Sequence, residues 1–243
     1  MRPDGPAVAG RLNFGGGAQQ PRSTTGVRTM RLHTYFRSSA AYRVRVALNL
    51  KGLAHDTVAV HLVRSGGEQH QPEYRSVNAA GLVPALEDDG RVLTQSLAII
   101  EYLDEIHPEP LLLPGDAFAR ARMREVAMTI ACDIHPINNL RVLQYLTREF
   151  GVSEEQKNAW YRHWVETGLE AVEALLAAHP REGRFCFGDT PTLADVCLVP
   201  QVYNARRFKC DTAHLSRVLR VTEACEALEA FRLAAPENQS DAE

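Results

Sequence analysis

The chain is expected to fold as two domains: a small α/β domain with a mixed four-stranded sheet over residues 30–111, and an all-α domain over residues 112–238. Three observations predict this. Short runs with strand character alternate with helical runs only in the first half of the chain. A proline-rich break follows at residues 107–115, with Pro108, Pro110, Pro114 and Gly115. Beyond it the apolar spacing is helical and no convincing strand appears.

The elements follow in order. Residues 1–29 contain Gly15-Gly16-Gly17, scattered Pro, Thr and Arg, and hardly any large apolar residue. They lack the apolar segment of a secretory signal, and the composition predicts a disordered extension with Met30 as the working start. An Arg-rich, acid-poor bias is also a property of transit peptides. Leu32-His33-Thr34-Tyr35-Phe36 reads as a strand. Tyr42 to Gly52 reads as a helix that stops on glycine. Thr57-Val58-Ala59-Val60 is a second strand, and residues 66–78 hold a short or irregular helix. Val83-Pro84-Ala85-Leu86 and Val92-Leu93 flank Asp88-Asp89-Gly90, a hairpin signature. A helix starts at Ser96 and ends before Pro108. A strand–helix–strand unit makes the first two strands parallel, and the hairpin adds antiparallel ones, which is a thioredoxin-like arrangement. Residues 117–150 then read as one long helix kinked at Pro136. Residues 153–178 and 192–208 read as further helices, one or two shorter ones precede Pro236, and the polar tail after it is expected to fray.

Composition excludes several classes. The formal net charge of −3 gives no support to nucleic-acid binding. No apolar run is long enough for a bilayer span. The five cysteines form no C-x-x-C pair, and no His pair has metal-ligand spacing. Reduced thiols in a cytoplasmic protein with no metal are the simplest reading.

Some residues could carry chemistry, and each has a plainer account beside it. Ser38 and Ser39 stand between the first strand and the first helix. A hydroxyl there caps the helix, and the same place binds anions or acidifies a thiol. Gln95-Ser96 stands at another helix start, where Ser96 caps or holds a carboxylate. Val83-Pro84 would expose the Val83 backbone to a peptide-like ligand if cis, but most X-Pro bonds are trans. His135 and Asn139 share one face beside the Pro136 kink, either as ordinary polar residues or as a cluster facing the first domain. Thr192 and Asp195 form a capping box, so Asp195 is a folding residue. Arg206 and Arg207 suit a helix C-terminus, and Arg207 could instead reach inward as a carboxylate clamp. Two helix N-termini reached from one sheet edge suit an elongated anionic ligand.

Together these segments resemble the zeta class of the glutathione transferase family, which includes maleylacetoacetate and maleylpyruvate isomerases. The resemblance is carried by Tyr35-Phe36-Arg37-Ser38-Ser39-Ala40-Ala41-Tyr42-Arg43-Val44-Arg45, by Val83-Pro84, and by the run from Gln95 to Leu103. Asp133-Ile134-His135-Pro136, Gly188 to Asp195 and Val199-Pro200-Gln201-Val202 follow at family spacing. It runs from about Met30 to about Pro236 and implies the glutathione transferase fold. It also implies glutathione as cofactor, with Ser38 and Ser39 at the thiol, Val83 before a cis Pro84, and Gln95 and Ser96 at the γ-glutamyl end. Gln69, His135, Asn139 and Arg141 align with further cofactor contacts, and Arg37 and Arg207 with arginines that hold substrate carboxylates. Many zeta members have Cys where this chain has Ala40, so no enzyme thiol serves at that place.

The activity implied is glutathione-dependent cis–trans isomerisation of a small dicarboxylate, maleylacetoacetate to fumarylacetoacetate in tyrosine and phenylalanine catabolism, by a homodimer. Maleylpyruvate isomerisation in gentisate catabolism, general glutathione conjugation or peroxidase activity, and a non-catalytic interaction module are the alternatives.

Overall fold

The computed structural model describes residues 30–178 and 183–243, so the expected N-terminal extension lies outside the described residues. The first half runs β1 (Met30–Thr34), α1 (Ser39–Leu50), β2 (Asp56–Ala59), α2 (Pro72–Val77), β3 (Ala85–Asp88), β4 (Arg91–Thr94) and α3 (Ser96–Ile106). The sheet order is β2-β1-β3-β4, with β1 parallel to β2 and the other neighbours antiparallel. This is the expected mixed sheet. Both turn residues of the hairpin, Asp89 (φ 51°) and Gly90 (φ 77°), are left-handed. A two-residue turn of that kind matches the twist of the strands it joins.

Helix α1 is delimited at both ends by its own sequence. Ser38 caps its start, accepting the Ala41 N–H at 3.2 Å. At its end the Leu53 N–H reaches Leu48 O and the Gly52 N–H reaches Asn49 O. Gly52 sits at φ 62°, which completes a glycine-terminated helix end. Val44, Val46, Ala47 and Leu48 are fully buried between the sheet and the helices beyond.

The second half contains α4 (Ala117–Met128), α5 (Leu140–Glu149), α6 (Glu154–Ala177), α7 (Leu193–Arg207), α8 (Ser216–Glu226) and α9 (Glu229–Ala234). Twelve of the fifteen residues of α7 are buried. It therefore has no solvent stripe and serves as the spine on which α1, α4 and α8 pack. The carboxylate of Asp195 accepts the N–H groups of Thr192 (2.7 Å) and Cys186 (2.8 Å), so it fixes the start of that spine.

A buried ion pair ties the two halves. Lys51 Nζ donates to Asp104 Oδ1 (2.7 Å) and to the carbonyls of His107 and Pro110 (2.8 Å each). Asp104 in turn accepts the N–H groups of Leu112 and Leu113. The ends of α1 and α3 and the proline-rich segment thus converge on one fully hydrogen-bonded lysine.

Two expectations are corrected. Residues 117–150 are not one kinked helix. The ladder widens into a π-helical turn at Thr129–Ile134, tightens into a 3₁₀ turn at Pro136–Asn138, and restarts as α5 with Asn139 as N-cap. Pro136 has no N–H for the ladder and its ring crowds the preceding turn, which breaks the helix here. The polar tail does not fray. Asp241 Oδ2 accepts the Phe36 N–H at 3.0 Å, and Glu243 pairs with Arg64 at 2.7 Å and lies 3.2 Å from His61 Nε2. Its acidic side chains find donors on the first half of the chain, which composition alone does not reveal.

Candidate active site

Two adjoining cavities lie where the first half meets the second. The serine cavity, about 230 Å³, is walled by Arg37, Ser38 and Ser39 from the β1–α1 loop and by Asn204, Arg207 and Phe208 from the end of α7. The proline cavity, about 290 Å³, is walled by Val83-Pro84, Gln95-Ser96, Arg43, Cys132 and Arg141. His135 and Asn139 belong to both walls, so the broken helix forms the partition. Ten of the eleven predicted site residues therefore meet in one place. The exception is Gln69, whose amide turns inward to Leu62 O (3.2 Å) and His70, away from either cavity wall.

The backbone prepares both cavities. Ser38 accepts a cap bond through its oxygen, which leaves its O–H proton available to a group in the serine cavity. Ser39 is buried, and its oxygen accepts from the Asn204 amide of α7. The free N–H groups of the first turn of α1 add a positive end there. In the proline cavity the Val83-Pro84 bond is cis, as the family resemblance implies and as the residues alone do not. Gln95 holds φ 70°, an uncommon conformation for a side-chain-bearing residue, immediately before α3. No side chain caps α3. Ser96 is not the cap that the plainer account made it: its Oγ accepts from Arg43 Nη1 at 3.3 Å.

The electrostatics are one-sided. Among the described residues Arg37, Arg207, Arg43 and Arg141 line the two cavities, and no Asp or Glu does. Arg37 and Arg207 are exposed at the mouth, each flanking an aromatic ring, Phe36 at 4.7 Å and Phe208 at 5.2 Å. Burial pushes the Tyr35 hydroxyl up, while the nearby Arg37 and Arg207 guanidinium groups pull it the other way. Burial, reinforced by Arg43 and Arg141, pushes His135 down to about 3. Its imidazole is neutral at physiological pH and acts as a hydrogen-bonding group, not as a cation.

Several wall residues were not singled out as candidates from sequence, among them Arg43, Asn138, Tyr161 and Asn204. Arg43 carried a usable signal, a charge on the apolar side of α1. Asn204 carried another, since it precedes Phe208 by one helical turn. Asn138 and Tyr161 showed nothing that separates them from ordinary helix residues. Among the described residues no helix is long and apolar enough to cross a membrane.

Comparison with known proteins agrees with this geometry. Residues 32–111 match the glutathione S-transferase N-terminal domain and residues 158–232 its C-terminal domain. A probable maleylacetoacetate isomerase of Vibrio cholerae is 52% identical over 211 residues, which cover 87% of this chain and 97% of that protein. The holo structure of a maleylpyruvate isomerase, a bacterial zeta-class glutathione S-transferase, has a TM-score of 0.85 at 48% identity, covering 88% of this chain and 100% of that one. A maleylacetoacetate isomerase of Methylobacterium extorquens AM1, solved with bound malonate and GSH, has a TM-score of 0.84 at 41% identity, covering 88% and 99%. Fold, cavity walls and relatives agree: the chain belongs to the zeta class of the glutathione S-transferase family.

Proposed function

We infer that the chain is a glutathione-dependent cis–trans isomerase that converts maleylacetoacetate to fumarylacetoacetate in tyrosine and phenylalanine catabolism. One observation carries this reading. Two adjoining cavities are lined by four arginines and no carboxylate, in a chain whose net charge is −3. That local field suits an anionic cofactor beside a dianionic substrate.

The residues present fit glutathione. The uncapped start of α3, with Gln95 and Ser96, takes the γ-glutamyl end, and the Val83 backbone takes the peptide part. Ser38, half-buried at the start of α1, reaches the sulfur. His135, Asn139 and Arg141 close the partition side. Gln69 joins them only if its side chain turns outward from Leu62. When bound, glutathione supplies a nucleophilic sulfur that adds to the cis double bond and later leaves it, so the bond can rotate in between. Ser38 donates its hydroxyl hydrogen to that sulfur, and the α1 N-terminus favours its negative charge. Arg37 and Arg207 grip the substrate carboxylates from the two halves of the chain and stabilise charge that develops during addition. Leu140, Leu143, Tyr161 and Phe208 give the same cavity an apolar wall that suits the rest of the acyl chain.

Maleylpyruvate differs only in that acyl part, so both substrates belong in the test. Each is assayed with and without glutathione. Turnover that requires glutathione supports the reading, and no turnover of either substrate overturns it. The same reading places the enzyme in the cytoplasm as a homodimer, since two-fold dimers are the commonest oligomers. Light scattering that finds only monomer at micromolar concentration contradicts the dimer.

A further inference from the structure

Arg43 is 1% exposed, yet its guanidinium is barely partnered. Nη1 donates to Ser96 Oγ, while Nε and Nη2 have no hydrogen-bond partner among the described residues. The other buried cations of this region are treated differently. Arg45 donates to four oxygens, those of Thr34, Tyr35, Phe36 and Ala234. Lys51 has the Asp104 carboxylate and two carbonyls. A buried charge is very unfavourable without a partner, so native proteins pair it or hydrogen-bond it fully. Arg43 has neither among the described residues. The side chains that act on its charge are the Cys197 and Cys132 thiols, and no carboxylate is among them.

Its missing partner therefore comes from outside, and one route is available. Arg43 lines the proline cavity beside Ser96, Gln95 and Arg141, with no acidic residue on that wall. We propose that Arg43 is the buried counter-charge for a carboxylate bound at the Ser96 end of the proline cavity, acting through the Ser96 hydroxyl. The Arg43 N–H occupies the Ser96 oxygen, which turns the hydroxyl hydrogen toward the cavity. Arg43 is thus a positioning residue. The inference rests on glutathione as the cofactor, and the carboxylate is then the α-carboxylate of its γ-glutamyl end.

The test compares glutathione with 4-aminobutanoyl-cysteinyl-glycine, which lacks only that carboxylate. The wild type is expected to bind the analogue roughly 10- to 100-fold more weakly. Arg43→Met should weaken glutathione binding by a similar factor and leave the analogue nearly unaffected, so the ratio collapses toward one. Turnover at saturating glutathione should stay within about threefold, which separates this effect from general damage. Arg43→Lys keeps the charge and should keep most of the discrimination. If Arg43→Met does not fold, Arg43→Gln replaces it; it loses the charge but can still donate to Ser96, so its ratio should fall to a value between the wild type's and one. An unchanged ratio in the neutral variant overturns the inference, as does a wild type that binds both thiols equally. A wild type that binds neither thiol refutes the cofactor assignment instead.

Discussion

Ser38 combines two duties that substitution can separate. Its oxygen caps α1 through the Ala41 N–H, and its hydrogen is assigned to the glutathione sulfur. Ser38→Ala removes both. Loss of the cap should cost about 1 kcal/mol of stability, and the 3.2 Å length of the bond favours the lower end of the usual range. For a chain of this size that is a Tm decrease of roughly 2–4 °C. Loss of a hydrogen bond to a charged acceptor should raise the barrier by about 1.5–3 kcal/mol, or roughly 10- to 150-fold in kcat. Ser38→Asp divides the two effects. Aspartate is as good an N-cap as serine and favours the helix dipole, so the Tm should stay at or above the wild-type value. An ionised carboxylate has no hydrogen to donate and repels a thiolate, so turnover should fall at least as far as in Ser38→Ala. The assay is isomerisation at saturating glutathione, paired with a melting curve on the same preparation. If Ser38→Ala keeps wild-type turnover, the assignment is wrong, and Ser39, held by Asn204, becomes the activating hydroxyl. If Ser38→Asp stays active, thiolate stabilisation by this residue is refuted altogether.

Other outcomes follow from neighbouring features. Arg207→Lys should impair isomerisation about tenfold or more while leaving conjugation of a neutral electrophile nearly intact, because lysine cannot grip a carboxylate bidentately; equal loss of both activities would contradict the clamp. Lys51→Met leaves Asp104 charged and buried without its cation, so denaturant titration should show a loss of about 3–5 kcal/mol, and a loss below about 1 kcal/mol would mean the pair is not structural. His135 is depressed in the folded state to about 3, below its ordinary value of 6.5. The unfolded chain therefore takes up its proton first as pH falls, and the stability this group contributes is complete above about pH 6.5 and drains away toward pH 3. His135→Gln should flatten the decline between pH 6.5 and 4, and an identical decline in the variant would exclude this residue as its source.

The fold was legible wherever local chemistry acts over a few residues. Asp89-Gly90 demands the hairpin, Gly52 ends α1, and Thr192 with Asp195 starts α7. Candidate positions that line the cavities were legible where helix starts bear hydroxyls, as at Ser38 and Ser96. What the residues alone concealed depends on partners distant in the chain. Cis geometry at Val83-Pro84 followed only from family likeness. The inward turn of Gln69 depends on the Leu62 carbonyl, and the order of the tail depends on the Phe36 N–H and Arg64. Arg43 was visible as an arginine, but its want of a partner belongs to the packed interior. The widened turn at Thr129–Ile134 has no period that sequence reading detects, although Pro136 marked the place.

Helix α9 and the tail act as a cover for the first half of the chain. Asn49 bonds Ala230 O, Arg45 bonds Ala234 O, and Asp241 accepts the Phe36 N–H, so residues 230–241 cover α1 and the loop after β1. Without α9 the first half is a sheet whose neighbouring helix α1 is bare on one side. Removing α9 and the segment after it should therefore uncover one side of α1 and withdraw the acceptor of the Phe36 N–H beside the serine cavity.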